Sequence, residues 1–413
     1  MSAEGLQCNQ IKGVCMRGAR FPFLFLFSVF LTLSGKMAFS TGHSGLSQRL
    51  GAVIDSSQQA LLRKRASSGA WHYKPNLGSH FTSLNFISST WFDGPFTWNQ
   101  NARSALKTHL LNSQLKNGAW CDLRYVNRSC SHLDATLLNY WALKILGMSP
   151  MHPQMLHARK FILSRGGAEK ASLLVKHWLA LFAQLPWSKT PIVPYALAFE
   201  KNVYQKLLGI RFASWAVEHI RALTYLRANK VIKFPEAQES VAELFRQPKG
   251  IPFLNQKKSP FRNLTKERKA LDVIYNTQGK YGTWGGYLPA TVLSLIALKN
   301  AAESGEHSNL LSDQTKLKQM RRVARKRMFS WVYSGGYYHF EGLVMDGHYW
   351  DSMLVAQALV VSGLNSSEIK PTVDYLVKNA RSPQGGFVYG EDFSNLPDLD
   401  DTSEMLILLK ESG

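Results

Sequence analysis

From about residue 50 onward the apolar positions recur with a helical period. Leu137, Leu138, Trp141, Ala142, Ile145 and Leu146 fall at i, i+1, i+4, i+5, i+8 and i+9, which gathers them on one face of a helix. The same rhythm joins Val292, Leu293, Leu295, Ile296 and Leu298, and again Met353, Leu354, Ala356, Leu359 and Val360. Glycine and proline collect between these stretches, as in Gly147-Met148-Ser149-Pro150, and mark turns. Short Gly-aromatic turns punctuate the pattern: Gly69-Ala70-Trp71, Gly118-Ala119-Trp120, Gly282-Thr283-Trp284, Gly335-Gly336-Tyr337 and Gly385-Gly386-Phe387, with Gly166-Gly167 in the same series. Their spacing is about 50 residues or a multiple of it, room for two helices and a loop, so the predicted unit is a helical hairpin repeated along the chain. Stacked hairpins make an open solenoid or a closed ring of inner and outer helices.

Two of the turns carry a further signal. Gln114 and Gln278 each stand four residues before the glycine and six before the tryptophan. A glutamine at a helix end can bond the backbone groups left free there, and an indole buries a large flat area between neighbours. Each such turn is therefore expected to fasten one repeat to the next.

At the N-terminus, Arg17 and Arg20 precede an apolar run from Phe21 to Leu33, followed by small residues at Ala38-Phe39-Ser40. The run is short for a spanning helix, which needs roughly 20 residues, and reads as a signal-like segment or as sequence upstream of a true start at Met16 or Met37. Residues 1–40 are accordingly left outside the fold. No later stretch is long and apolar enough to span a bilayer.

Composition narrows the function classes. With 413 residues and 45% hydrophobic content, the chain allows two or three domains. Eleven Trp, 15 Tyr and 22 Phe exclude disorder, and four cysteines without a C-x-x-C pair exclude a zinc ribbon or a disulfide scaffold. The formal charge of +21 suggests anionic surfaces as partners. The densest basic run is Lys316, Lys318, Arg321, Arg322, Arg325, Lys326 and Arg327. It lies on a helix-like stretch and reads first as a solvated face; without a nucleic-acid-binding signature beside it, nucleic acid is not an expected partner.

The Q-x-x-x-G-x-W turns resemble those of squalene-hopene cyclases and the wider class II terpene cyclase family. So do Ser131-His132-Leu133-Asp134-Ala135-Thr136, His177-Trp178-Leu179, Tyr349-Trp350-Asp351-Ser352 and Pro397-Asp398-Leu399-Asp400-Asp401-Thr402, the last being the family's D-x-D-D-T signature. The resemblance covers roughly residues 50 to 413 and implies an all-α fold. An (α/α) barrel, or toroid, of helical-hairpin repeats occupies residues 41–310, and the beginning of a second α/α barrel occupies residues 311–413. Full-length members of the family continue well beyond Gly413, so a missing C-terminal half or a second chain is an expected partner.

The resemblance also implies a chemistry. Protonating an isolated alkene requires a carboxylic acid kept protonated in dry surroundings, and clustered carboxylates achieve this because like charges repel. Asp400 is the implied proton donor, with Asp398 and Asp401 as its supports. Cations formed along the way are stabilised by aromatic faces; Trp178, Trp215, Trp350, Phe387 and Tyr389 stand at the implied substrate-binding positions. Set against this, Asp398 to Glu404 also reads as an ordinary helix start. No metal and no cofactor is expected. The implied function is cyclisation of a squalene-type polyprenoid, with monotopic attachment to a membrane surface, the bacterial inner membrane in the first instance; Ile251-Pro252-Phe253-Leu254 and the basic face are candidate contacts. The alternative is a non-catalytic helical binding module or half of a split cyclase. The chain departs from the family pattern at Leu288, Gly390, Ala196 and Ala380, the first two and the last standing where a Gln is usual.

Overall fold

The structure, a computed structural model of the chain, describes residues 44–72, 78–92, 98–121, 130–193, 195, 214–247, 258–259, 262–307, 309–340, 347–392, 397 and 399–413. The signal-like segment, Ala196, Ile251-Pro252-Phe253-Leu254 and Asp398 lie outside the described residues. Contacts divide the chain into two units, residues 1–57 and 58–413. The described part of the first is the opening of helix α1 (Ser44–Leu62); everything below concerns the second.

Two kinds of helix alternate along the chain. Helices α2 (Ser79–Ser89), α4 (Leu133–Ile145) and α9 (Leu288–Ser304) are buried on nearly every face, which is why their sequences are apolar or small all round. Helices α3 (Gln100–Ser113), α5 (Pro153–Ser164), α8 (Leu264–Asn276) and α10 (Gln314–Ser330) bury a single stripe, such as Ala102, Leu106 and Leu110 in α3 or Leu317, Met320, Ala324 and Met328 in α10. Asn99, Asn263 and Asp313 cap three of these outer helices by accepting an N–H bond in the first turn. Helix α7 (Ser214–Ala228) packs on α8 and α9, and α2 packs on α4. The result is an all-α fold of α/α-barrel type, with inner helices shielded by outer ones.

The apolar interior forms two clusters. The first runs from Leu84 to Phe340 and includes the stripe of α10. The second gathers Trp71 with helices α11 (His348–Val361), α12 (Ser366–Asn379) and α13 (Leu399–Ser412), and takes in Leu61 and Leu62 from the end of α1.

Three of the Gly-aromatic turns share one set of bonds. In each, the indole N–H donates to the carbonyl ten residues earlier: Trp71 to Leu61 (2.8 Å), Trp120 to Leu110 (2.9 Å) and Trp284 to Ile274 (2.7 Å). The backbone N–H of each tryptophan donates to a hydroxyl in the first turn of an inner helix, Ser352 (2.9 Å), Thr136 (3.1 Å) and Thr291 (3.1 Å) respectively. That hydroxyl in turn donates to the carbonyl four residues before it, His348, His132 or Tyr287. Gln114 Nε2 donates to the carbonyls of Gly118 and Gln154, and Gln278 Nε2 to those of Gly282 and Met320, all at 2.9 Å. In the first turn Arg65 takes the glutamine's place, its guanidinium donating to the Glu368 carbonyl. Gly69, Gly118 and Gly282 have left-handed φ of 92°, 84° and 94°, and a Cβ there would come within 2.7 Å of the backbone of Pro371, His157 or Val323. All three tryptophans are buried. At ~25 cal/mol per Å2, an indole burying ~200 Å2 contributes about 5 kcal/mol before ordering costs.

Two of the remaining three glycine pairs of the series are different objects. Gly335 and Gly336 form the two-residue loop of a hairpin between β3 (Tyr333–Ser334) and β4 (Tyr337–Tyr338), and Tyr337 is 74% exposed. Gly166-Gly167 ends α5, with Gly167 N–H bonding back to Ile162. The spacing series thus contains turns of more than one kind, and the Trp71 turn fastens as the two glutamine turns do.

Two tertiary features escaped the sequence reading. Cys121 and Cys130 form a disulfide beside the short pairing of β1 (Trp120–Cys121) with β2 (Ser131–His132). Fully buried Glu267 accepts bonds from Arg262 (3.0 and 2.7 Å), Asn229 (3.0 Å) and Tyr195 (2.9 Å), tying α8 to the end of α7. Burial alone would raise its carboxyl, but the bonds from Arg262, Asn229 and Tyr195 prevail and hold it below its ordinary value. Glu306, bonded to Arg262 and Lys258, is held at about 2.

Both carboxylates have folded values below their unfolded ones, so their contribution is present above pH ~4.5 and is lost as pH falls towards 2. Thermal unfolding followed by circular dichroism is expected to show a falling midpoint over that window, and a flatter profile in Glu306→Gln. Gly118→Ala combines a left-handed backbone with a backbone clash and is expected to cost about 3 kcal/mol or more. Gly147→Ala, at φ 79° with nothing within 4 Å, is expected to cost only about 1–2 kcal/mol. Denaturant titration of the two variants checks the difference.

Candidate functional site

The turn at Gly385-Gly386-Phe387 repeats the backbone bonds of the Trp120 turn. Ser382 N–H donates to Gly386 O (2.9 Å) and Gly385 N–H to Ser382 O (3.0 Å), as Leu115 does to Ala119 and Gly118 to Leu115. This register puts Arg381, not Ala380, in the glutamine's position. Arg381 is exposed, and a Cβ on Gly385 would meet nothing within 4 Å, so among the described residues no outer helix covers this turn. Phe387 N–H donates to Thr402 Oγ1 (3.0 Å), and Gly386 lies so close to Thr402 and Pro397 that a Cβ would reach 2.7 and 2.9 Å. The threonine of D-x-D-D-T is therefore the same hydroxyl that Thr136, Thr291 and Ser352 supply elsewhere.

That equivalence orients the acids. One residue before the hydroxyl stand Ala135, Ala290, Asp351 and Asp401; two before stand Asp134, Pro289, Trp350 and Asp400. Ala135, Ala290 and Asp401 all point inward, Asp401 at 1% exposure. Asp400 is exposed at the start of α13, one residue after Leu399, itself 72% exposed. The position four before the hydroxyl is held by His132, Tyr287 and His348 in the other repeats and by Asp398 here.

Of the aromatic candidates, the structure brings two together. Trp350 stacks on Tyr389 with ring centroids 6.4 Å apart and planes at 24°, and its N–H donates to the Tyr389 carbonyl (3.3 Å). Tyr389 fits against Gly347, where a Cβ would come within 2.2 Å of the phenol ring. Phe387 is buried in the second cluster, against which Tyr389 also packs. Trp178 sits elsewhere, on helix α6 (Leu173–Leu181), fully buried in the first cluster with its indole N–H on Ser88 Oγ (2.9 Å). Trp215 belongs to α7, and its side chain lies outside the described residues.

The segment that joins these groups is fastened by residues the sequence reading passed over. Buried Asp392 accepts bonds from Tyr281 N–H (2.8 Å), Thr283 N–H (3.1 Å) and Thr283 Oγ1 (2.6 Å), so the Trp284 turn is tied to the chain three residues past Tyr389. Glu391 Oε1 lies 3.3 Å from His348 Nε2, and the His348 ring lies 4.9 Å from that of His72. Burial pushes His348 down to about 4, against the pull of Glu391. The Glu391 carboxylate, bonded to Tyr281, pushes that phenol up to about 12. A short acidic loop beside a helix start was the only available signal for either residue. Leu288 and Gly390, noted as departures from the family pattern, are both buried.

Clefts open on the described surface at two places away from the acids. One of about 260 Å3 is lined by Leu264, Arg268, Glu306 and His307, the other of about 250 Å3 by Trp91, Lys233 and Lys299. Neither is lined by the aspartates or the aromatic group. Among the described residues no three His, Cys, Asp or Glu side chains converge as metal ligands would.

Comparison with known proteins places this architecture. Residues 54–267, just over half the chain, match the squalene-hopene cyclase N-terminal domain family. The squalene-tetrahymanol cyclase of Tetrahymena thermophila is 29% identical over 376 residues, covering 85% of this chain and 53% of that protein. The squalene-hopene cyclase of Alicyclobacillus acidocaldarius is 29% identical over 339 residues, covering 72% and 50%. The chain thus spans about half the length of these relatives. A solved type II terpene cyclase from Scytonema, in complex with merosterolic acid A, aligns over 88% of this chain and 96% of its own at 13% identity, with a TM-score of 0.21, a superposition too loose to speak to the fold. By the family match, and by relatives that extend the likeness past it, the chain belongs to the squalene-hopene cyclase family, within the class II terpene cyclases.

Proposed function

We propose that the chain is part of a cyclase that protonates a terminal alkene of a squalene-type polyprenoid, with Asp400 as donor and Asp398 and Asp401 beside it. The observation that supports this reading is the bond from Phe387 N–H to Thr402 Oγ1, which ties the acids to the aromatic segment in a fixed register. Trp350, Phe387 and Tyr389 then supply ring faces for a cation near the acids, each worth about 2 kcal/mol where water is excluded. A Brønsted acid suffices for this chemistry, so the reading calls for no metal and no nucleotide. The substrate is a hydrocarbon that partitions into lipid, so the reading includes attachment to a membrane surface.

An alkene is protonated only by an acid shielded from water, and Asp400 is exposed. The reading therefore requires a further helical layer over α13, where Leu399, Leu406 and Ile407 are 72%, 59% and 47% exposed and the Gly385 turn is uncovered. The same uncovered face favours a second reading, a helical module that works as half of a two-chain cyclase or only binds a partner.

Squalene conversion by gas chromatography separates these. The 413-residue chain by itself is expected to give no product, and product is expected on addition of a polypeptide supplying the C-terminal half of a related cyclase. In that assembly Asp400→Asn is expected to abolish conversion, and Thr402→Val to lower it at least tenfold. Undiminished product from Asp400→Asn would overturn the assigned role. Tight association without conversion would leave the binding module as the reading.

A further inference from the structure

Helix α10 carries seven cations and no acid: Lys316, Lys318, Arg321, Arg322, Arg325, Lys326 and Arg327. Its apolar stripe, Leu317, Met320, Ala324 and Met328, is already committed to the first cluster. The opposite side is a straight cationic row: Lys318, Arg322 and Lys326 are exposed at i, i+4 and i+8, with Arg321 half-buried alongside. No described carboxylate forms an ion pair with any of these four; among the described residues Arg322 bonds Gln319 alone. The row spans about 12 Å along the helix axis.

An aromatic projection follows the row directly. The hairpin of Tyr333–Ser334 and Tyr337–Tyr338 begins two residues past the helix, after buried Trp331 and Val332. Gly335 and Gly336 have φ of 61° and 83°, the pair of positive values a tight two-residue hairpin loop demands. Tyr333 stacks on Phe329, the last aromatic of α10, at 5.6 Å, and meets Tyr338 at 4.9 Å with the rings tilted, so the hairpin is held on a run of ring contacts that starts in the helix. The outermost ring, Tyr337, is 74% exposed, and Tyr333 is 38% exposed.

We propose that the outer face of α10 and the Tyr333–Tyr338 hairpin form a docking surface for the anionic headgroups of a lipid bilayer. A row of uncompensated cations is drawn to an acidic leaflet, and an exposed tyrosine, apolar in body and polar at its tip, suits the headgroup level. Because the apolar stripe of α10 faces the core, the helix lies on the headgroups and does not insert. A duplex nucleic acid would also attract the charge, and a tyrosine hydroxyl can bond a phosphate, but a duplex backbone gives the apolar body of the ring no layer to enter as the headgroup level does. The inference rests on the membrane attachment included in the proposed function and specifies its surface.

Co-sedimentation of the full chain with vesicles of phosphatidylcholine, with and without 30% phosphatidylglycerol, tests it. The chain is expected to bind the anionic vesicles at least tenfold more tightly, with binding that weakens as salt shortens the screening length. Lys318→Gln/Arg322→Gln/Lys326→Gln is expected to weaken anionic-vesicle binding by roughly a hundredfold. Tyr337→Ser is expected to weaken binding severalfold without changing its salt dependence. Circular dichroism and the melting midpoint establish that both variants fold. Equal binding of the triple variant and the parent would overturn the α10 surface. Binding to neutral and anionic vesicles alike would overturn it while sparing membrane attachment, and binding to neither would overturn both. Stronger retention on duplex DNA than on anionic vesicles would also overturn it.

Discussion

The structure depends on one backbone problem solved the same way several times. When a chain turns at glycine to bring a tryptophan between two helices, the aromatic residue's own N–H is buried and needs an acceptor. Thr136, Thr291 and Ser352 provide it from the first turn of an inner helix, and each stays satisfied by donating to a carbonyl four residues back. Burial of the indole, close approach at glycine and register of the next helix are thereby coupled. None of the three can change alone.

The acid motif inherits this arrangement. Thr402 is a fastening hydroxyl like the others, and the aspartates ahead of it stand where other repeats place alanine, proline, tryptophan, tyrosine or histidine and, at Asp134 and Asp351, an aspartate. A site built at such a position gains rigidity without extra residues, because the repeat already fixes the helix start. Asp392 then ties the Trp284 turn, from the neighbouring cluster, to the chain three residues past Tyr389. The contrast between buried Asp401 and exposed Asp400 follows from the same geometry, since adjacent residues at a helix start lie on different faces.

Much of the fold was legible because helical periodicity and the Gln-Gly-Trp spacing are local signals. Helix existence, the fastening role of Gln114 and Gln278 and the burial of their tryptophans all follow from residues within one turn of each other. The errors came where local patterns are degenerate. Gly335-Gly336-Tyr337 looks like a fastener in one dimension, but without a hydroxyl partner or an indole it folds as a hairpin. Arg65 was invisible as a glutamine substitute because its partner, Glu368, is three hundred residues away in sequence. Of the candidate aromatics, Trp350 and Tyr389 meet although 39 positions apart in the chain, while Trp178 lies in the first cluster, a placement that no local pattern encodes. Exposure of Asp400, the support from Asp392 and the Glu391–His348 contact are tertiary facts that no single segment encodes.

The first fastener has a consequence for the order of assembly. Trp71 closes on Ser352, 281 residues downstream, whereas Trp120 closes on Thr136, only 16 away. Chain-closure entropy makes the long connection costlier by about 2.5 kcal/mol if the intervening polypeptide is still a random coil. Prior compaction of the stretch between them removes most of that penalty. The Trp71 turn therefore behaves as a late clamp in folding kinetics: it rewards a chain whose middle has already collapsed, and it gains nothing from a nascent chain that has not yet extended past α11.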